Sequence, residues 1–251
     1  MSPLVLSCLI FVLILGGMVL GMFLGKALPQ HHLNKDSRDV VRLGVGLVAT
    51  IAALVLGLLI AAAKGSFDTQ SGQITQITAD VIQLDNLLAQ YGPEAAPVRN
   101  VMRTAIPVVV DRIWREKVTS TTAPFVANAK GEALYLAIIS LSPQNDIQRS
   151  LQARAIQISN DLTRLRLSLF VETGNAIPTP FLVVLVFWLV IIFASFSLFG
   201  SVNATVFTIL SVFALSASGA LFLILELSEP FSGLMMISSA QLRNALAPLG
   251  P

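Results

Sequence analysis

Charge is scarce in this chain. Only 12% of its residues are Asp, Glu, Lys or Arg, against roughly 25% in water-soluble domains. Acids and bases nearly balance, leaving a formal net charge of +2. No Lys/Arg-rich run occurs, so nothing points to nucleic acid as a partner. Cysteine is almost missing. Cys8 stands alone, which excludes an internal disulfide and a cysteine-based metal site. Histidine is confined to the adjacent pair His31-His32. Without a nearby third ligand the pair is expected to be exposed, and no metal site is expected. The common catalytic signatures are absent too: there is no G-x-S-x-G, no Walker loop and no H-E-x-x-H. The expectation is therefore neither an enzyme nor a cofactor-binding protein, with Cys8 buried in the first helix.

What is present is apolar: 55% of the residues are hydrophobic. Phe181–Phe199 and Thr205–Leu225 carry no charge, and the second run ends at Glu226. Roughly 20 apolar residues rising ~1.5 Å each cross a ~30 Å hydrocarbon layer. The short Gly200-Ser201-Val202-Asn203 turn between the runs forces them antiparallel, so they form a transmembrane hairpin. Two more spans are expected near the N-terminus, about Pro3–Leu24 and Leu43–Ala63, joined by a polar loop over 26–42. The first is read as an uncleaved helix, because no Lys or Arg precedes it and its apolar run is too long for a signal peptide. The sequence thus predicts an all-α membrane protein with four transmembrane helices. Its divisions are a first helix pair (1–64), a soluble helical region (65–178), the hairpin (179–227) and a tail (228–251).

Within 65–178, Asp68 reads as an N-cap for a helix starting at Thr69. Ile74, Ile77, Val81, Leu84, Leu88 and Tyr91 then alternate three and four apart, a heptad seam that Gly92-Pro93 ends. A helix disturbed at Pro107 follows to about Lys117, then a loop over Thr119–Thr122 and Pro124. A shorter helix is expected over Ala127–Leu141. Ser142-Pro143 reads as the start of the last soluble helix. Leu151, Ala155, Ile158, Leu162, Leu165 and Leu169 give it a matching seam. The two seams predict an antiparallel, coiled-coil-like stalk. In the tail a short amphipathic helix is expected from Ser239, with Leu242 and Leu246 facing membrane or protein and Pro248 ending it.

Three groups of residues are candidates for function. Gly17, Gly21 and Gly25 lie four apart on one face of the first helix, where small residues let another backbone approach. They imply either packing inside the protomer or, alternatively, an oligomer seam or a pore-side stripe. On the second helix Gly46, Ala49, Ala53, Ile60 and Lys64 fall within about 40° of Arg42 at 100° per residue. This small face with a cation at each end either packs on the first helix's glycines, its cations snorkelling to the headgroups, or lines a pore. Glu226 is the third. Thr208, Ser211, Leu215, Gly219 and Phe222 lie within about 60° of it. It is either an acidic ion path or a structural acid paired with Lys64, Arg164 or Arg166.

At these residues the chain resembles the bacterial bestrophin-like domain proteins. The resemblance is carried by Phe67-Asp68-Thr69-Gln70-Ser71, Tyr91-Gly92-Pro93-Glu94-Ala95-Ala96 and Leu151-Gln152-Ala153-Arg154-Ala155. It continues in Pro180–Leu189, Ser195–Phe199, Phe222–Leu227 and Glu229-Pro230-Phe231-Ser232-Gly233. Ser197 departs from an expected Gly and Ser228 from an expected Asp, which weakens a ligand role for the corner after Glu226. No residue matches the calcium clasp of bestrophins. The resemblance implies a homo-oligomer in membrane lipid, pentameric if bestrophin-like, that acts as an anion-selective channel. The competing expectation is a non-conducting scaffold or sensor whose soluble region binds a protein partner. The positive-inside count is close to a tie. The resemblance tips it towards a bacterial inner membrane with cytoplasmic termini and a cytoplasmic 65–178 region.

Overall fold

A computed structural model describes residues 2–29, 35–115, 129–172, 178–200 and 203–246. Every regular element among them is helical. Helix α1 (Pro3–Ala27) starts at Ser2, whose Oγ accepts the Val5 N–H at 3.4 Å. Then come α2 (Lys35–Tyr91), a 3-10 turn (Pro93–Ala95), α3 (Ala96–Arg115) and α4 (Ala129–Ile139). The rest are α5 (Asp146–Glu172), α6 (Thr179–Phe199), α7 (Ala204–Leu227) and α8 (Ala240–Leu246). Among the described residues, four helices are long and apolar enough to cross a membrane: α1, α2, α6 and α7. Helices are the natural choice there, because a bilayer offers no water to satisfy backbone N–H and C=O groups.

Three expected boundaries move. No break separates the second span from the soluble region, because α2 runs through both without interruption over 57 residues. Asp68 is consequently a mid-helix residue and not the first residue of a new helix. Gly65 is the only helix-breaking residue type between Gly57 and Gly72. One interior glycine disfavours a helix by only about 1 kcal/mol, which continuous hydrogen bonding overrides. The polar loop also shrinks, since α1 extends to Ala27 and α2 begins at Lys35. At the third, α5 starts not at Ser142-Pro143 but at Asp146. Asn145 is its cap: Asn145 Oδ1 accepts the Gln148 N–H at 2.8 Å, and Gln148 Oε1 accepts the Gln144 N–H at 2.8 Å. This reciprocal arrangement is close to a capping box. Helix α3 continues through Pro107 to Arg115. His31-His32 and the expected loop at 119–124 lie outside the described residues.

The chain divides into two compact units. The first comprises residues 1–67 and 175–229. Its core joins Ile10, Ile14 and Met18 of α1, Val45, Ala52 and Leu59 of α2, Leu185 and Phe193 of α6, and Ala214, Leu221 and Ile224 of α7. The second comprises residues 68–174 and 230–251. Leu84, Leu88 and Tyr91 of the first seam share a core there with Ala155 and Ile158 of the second. Val98 and Met102 of α3 and Leu134 and Ile138 of α4 belong to the same core, so the seams do not meet as a pair alone. Helix α8 packs on α3 and buries Leu242 to 1% exposure.

Candidate pore-lining face and the contacts around it

In the first unit α1 packs closely on α6. A Cβ placed on Gly17 would lie 2.7 Å from Val190 Cγ1 and 3.0 Å from its carbonyl oxygen. On Gly25 it would lie 2.8 Å from the Leu198 carbonyl oxygen, and on Gly21 it would overlap the Ala194 carbonyl. The three glycines thus meet three α6 residues also spaced four apart, backbone against backbone. Lipid tails are as apolar as leucine, so such contacts rest on close van der Waals approach rather than hydrophobic drive. The partner is α6, which corrects the expectation that these glycines receive the small face of the second helix.

That small face instead stays open. Arg42, Gly46, Ala53, Ile60 and Lys64 are exposed within the chain, and Ala49 is half-buried. A Cβ on Gly44, Gly46, Gly57 or Gly65 would find nothing within 4 Å. Leu43, Leu47, Leu54 and Leu58 are exposed beside them. The covered stripe of this half of α2 is narrow and runs through Val45, Ala52, Leu59 and Ala63. Arg42 and Lys64 are separated by about 33 Å of helix at 1.5 Å per residue, close to the hydrocarbon thickness. The Lys64 ammonium lies 5.8 Å from the centre of the Phe67 ring. Four residues before Arg42, Arg38 donates from its guanidinium to the Phe199 carbonyl oxygen at 2.8 Å and lies over the Phe199 ring at 5.7 Å. It caps the C-terminus of α6, where a cation is favoured by the helix dipole. Nothing in the sequence pattern singles Arg38 out from its neighbours.

The stripe through Glu226 is not uniform. Glu226 is 2% exposed, buried in α7 beside Leu227, while Thr208 and Leu215 are exposed and Ser211, Gly219 and Phe222 half-buried. Thr208 donates its hydroxyl to Ala204 O at 2.9 Å and Ser211 to Phe207 O at 2.8 Å. Both hydroxyls are engaged by their own helix. The corner after Glu226 closes in the same way: Ser228 Oγ donates to Ile224 O at 2.7 Å and the Glu229 N–H to Glu226 O at 3.0 Å. Cys8, expected inside α1's packing, is exposed.

The second unit is fastened by polar side chains. Arg99 of α3 makes a bidentate pair with Asp85 of α2, both hydrogen bonds 2.8 Å. The Asp85 side chain is 7% exposed. Those hydrogen bonds hold the Arg99 guanidinium above its already high usual pKa, burial opposing them, so the cation is permanent. Gly92 turns the chain between the two helices at φ 121°, a conformation that essentially only glycine takes up. From α5, Gln148 Nε2 donates to Tyr91 O at 3.0 Å. One turn on, Gln152 Nε2 donates to Leu141 O at 2.8 Å and Ile138 O at 3.0 Å. The two glutamines thus bond the terminal carbonyls Tyr91 O of α2 and Ile138 O of α4, a kind of group that lacks an i+4 partner within its own helix, and Leu141 O just beyond α4. The motifs around Tyr91-Gly92-Pro93 and Gln152 are turn and cap chemistry. Among the described residues no cluster of His, Cys, Asp and Glu suits a metal ion.

A family of known proteins matches this chain. It is described as the Bestrophin-like domain, and the match covers residues 12–242. No curated protein and no solved structure matches the chain.

Proposed function

The chain belongs to the bestrophin-like family, and on that premise we propose that this membrane protein is an oligomeric ion channel, selective for anions. The observation that carries the reading is the open face of α2. A lone membrane protein has no use for a lipid-facing stripe with exposed Gly46, Ala53 and Gly57 between two cations, because bulky apolar residues suit lipid better. In a closed ring of copies each position becomes a ring of identical groups. Arg42 and Lys64 would then be cationic rings at the two mouths, raising local anion concentration and repelling cations. Gly46, Ala49, Ala53 and Ile60 would form the apolar neck between them. The buried Glu226 and the engaged hydroxyls of Thr208 and Ser211 count against a path along α7. We assign the protein no catalytic role. We place it in a bacterial inner membrane with its termini and the 65–178 region in the cytoplasm.

Purified protein in planar bilayers under a chloride gradient tests this. The expected reversal potential lies near the anion limit, and Arg42→Glu moves it towards the cation limit while Glu226→Gln leaves it in place. A change of selectivity with Glu226→Gln alone would transfer the path to α7. The second reading, a non-conducting scaffold or sensor, draws support from the second unit, a helical body with a core of its own that a protein partner would bind. Silence across salts, voltages and pH from a well-folded oligomer would favour it.

A further inference from the structure

The segment after α7 closes a small loop with an apolar tip. The Ile237 N–H donates to Pro230 O at 2.7 Å, so the ends of 230–237 are tied together. Trp114 of α3 holds both ends. Its ring meets the Phe231 ring edge-on, with centroids 5.5 Å apart and planes at 78°. Its indole Nε1–H donates to Ile237 O at 2.9 Å. Phe231 and Ile237 are buried as a result, each 7% exposed. Arg243 of α8 pairs with Asp111 of α3 at 2.9 Å and fastens the chain further on. Gly233 takes φ 93° at the turn. Beyond it stand Leu234, Met235 and Met236, at 79%, 43% and 58% exposure.

Single exposed apolar residues are ordinary on a protein surface. Three in succession on a loop are not, unless they meet something. Nor is this exposure the fraying of a loose tail, because both feet of the loop are clamped. Its place in the chain names the partner. The last span, α7, ends at Leu227, and Pro230 follows within about 10 Å of extended chain. The headgroup layer is roughly 5–8 Å thick on each side of the hydrocarbon core, so the loop begins at the membrane surface. We propose that the clamped loop 230–237 is an interfacial anchor whose tip, Leu234, Met235 and Met236, inserts into the boundary between lipid headgroups and acyl chains. The unbranched, adaptable methionine side chains suit a fluid partner. Trp114 suits the site as well, since its amphipathic ring is at home where an apolar layer meets a wet one. By fixing the loop, Trp114 ties α3 to the lipid surface, whether or not the protein conducts.

The test uses the full chain in lipid nanodiscs, with Cys8 replaced by Ser and an environment-sensitive fluorophore on Met235→Cys. Nitroxide groups are supplied first on the lipids, at shallow acyl depth, and then on a water-soluble carrier. The lipid-borne nitroxide is expected to remove most of the emission and the water-soluble one little of it. The same result is expected from Leu234→Cys and Met236→Cys, all three positions being open enough to accept a label without unfolding. Quenching by the soluble nitroxide alone would place the tip in water and overturn the anchor. Quenching by neither would place it under protein, a second copy of the chain included, and would overturn it equally.

Discussion

Helix α2 is one uninterrupted element with two different surfaces. Its second half buries a complete seam within the chain, with Ile74 and Leu84 fully covered, Leu88 at 1% and Val81 at 2% exposure. Its first half leaves Leu43 at 76% and Leu58 at 70% exposure. The difference is one of solvent. In water an apolar stripe is unfavourable until covered, at about 25 cal/mol per Å², so the seam must find a core. In lipid an exposed leucine is already among its like, and a helix gains only by close approach or by satisfying polar groups. That is why α1 and α6 meet backbone to backbone at glycines, while the second unit is locked by Asp85–Arg99 and by two glutamines on carbonyl ends.

The change that should strike hardest is Gly21→Leu. Any side chain there collides with the Ala194 carbonyl, a rigid group that cannot rotate aside. Overpacking a close contact costs about 1–3 kcal/mol, more where backbone must move, and here α1 and α6 must part. Loss of thermal stability or of yield in detergent is expected, while Leu20→Ile, on an exposed position, leaves both unchanged. Equal tolerance of the two would show that the glycine contact carries no stability.

In the second unit the corresponding weak point is electrostatic. Arg99→Met leaves Asp85 buried beside no cation. Breaking a buried pair costs about 3–5 kcal/mol, reduced here to about 2–4 because the Arg99 side chain keeps 27% exposure and solvent screens it. The melting temperature should fall, and replacing Asp85 by Leu in the same chain should restore much of it. A single Arg99→Met variant as stable as the parent would mean that the pair only decorates the α2–α3 bend. Gln152→Ala acts on the same unit more gently. It removes the side-chain donor from the Leu141 carbonyl and leaves that of Ile138 only the Leu141 N–H at 3.3 Å, which costs about 1–2 kcal/mol, and should lower the melting temperature without changing oligomeric mass.

The spans were legible because lipid imposes a simple rule: a long uncharged run, as in Phe181–Phe199, has few other uses. The seams were legible for the same kind of reason, since a helix in water must repeat its apolar residues. Continuity was harder to see. Gly65 and Asp68 look like punctuation, yet each disfavours a helix too weakly to break one. Glycine spacing on α1 announced a close neighbour but could not say which, because of the three α6 residues that meet it, Val190, Ala194 and Leu198, only Ala194 is small. Arg38, Gln148, Gln152 and Trp114 were invisible. Each acts by reaching a backbone carbonyl or a ring distant in sequence, and no local pattern encodes such a reach. The candidate face of α2 was legible as a face, through the helical spacing of Arg42, Gly46, Ala53 and Ile60, while its being uncovered within the chain except at Ala49 emerges only from packing.

Gly46→Leu should have the smallest effect on stability and sharpens the contrast with Gly21 most. A Cβ at Gly46 meets nothing within 4 Å, and leucine is a better helix former than glycine by up to about 1 kcal/mol. Folding and thermal stability in detergent should therefore hold or rise slightly, in opposition to the same substitution at Gly21. Function should respond differently. If the face lines a ring-shaped path, a ring of leucines narrows an already apolar neck, favours its dewetting, and lowers single-channel conductance. If the face meets lipid, leucine is at ease there and both conductance and oligomeric mass stay as they were. A third outcome, an unchanged melting curve with a smaller oligomeric mass in nanodiscs, would make Gly46 a seam between copies rather than a lining, since glycine would then be holding two backbones close as Gly21 does within the chain. Thermal melting, nanodisc mass and bilayer conductance on the one variant therefore separate the three surroundings.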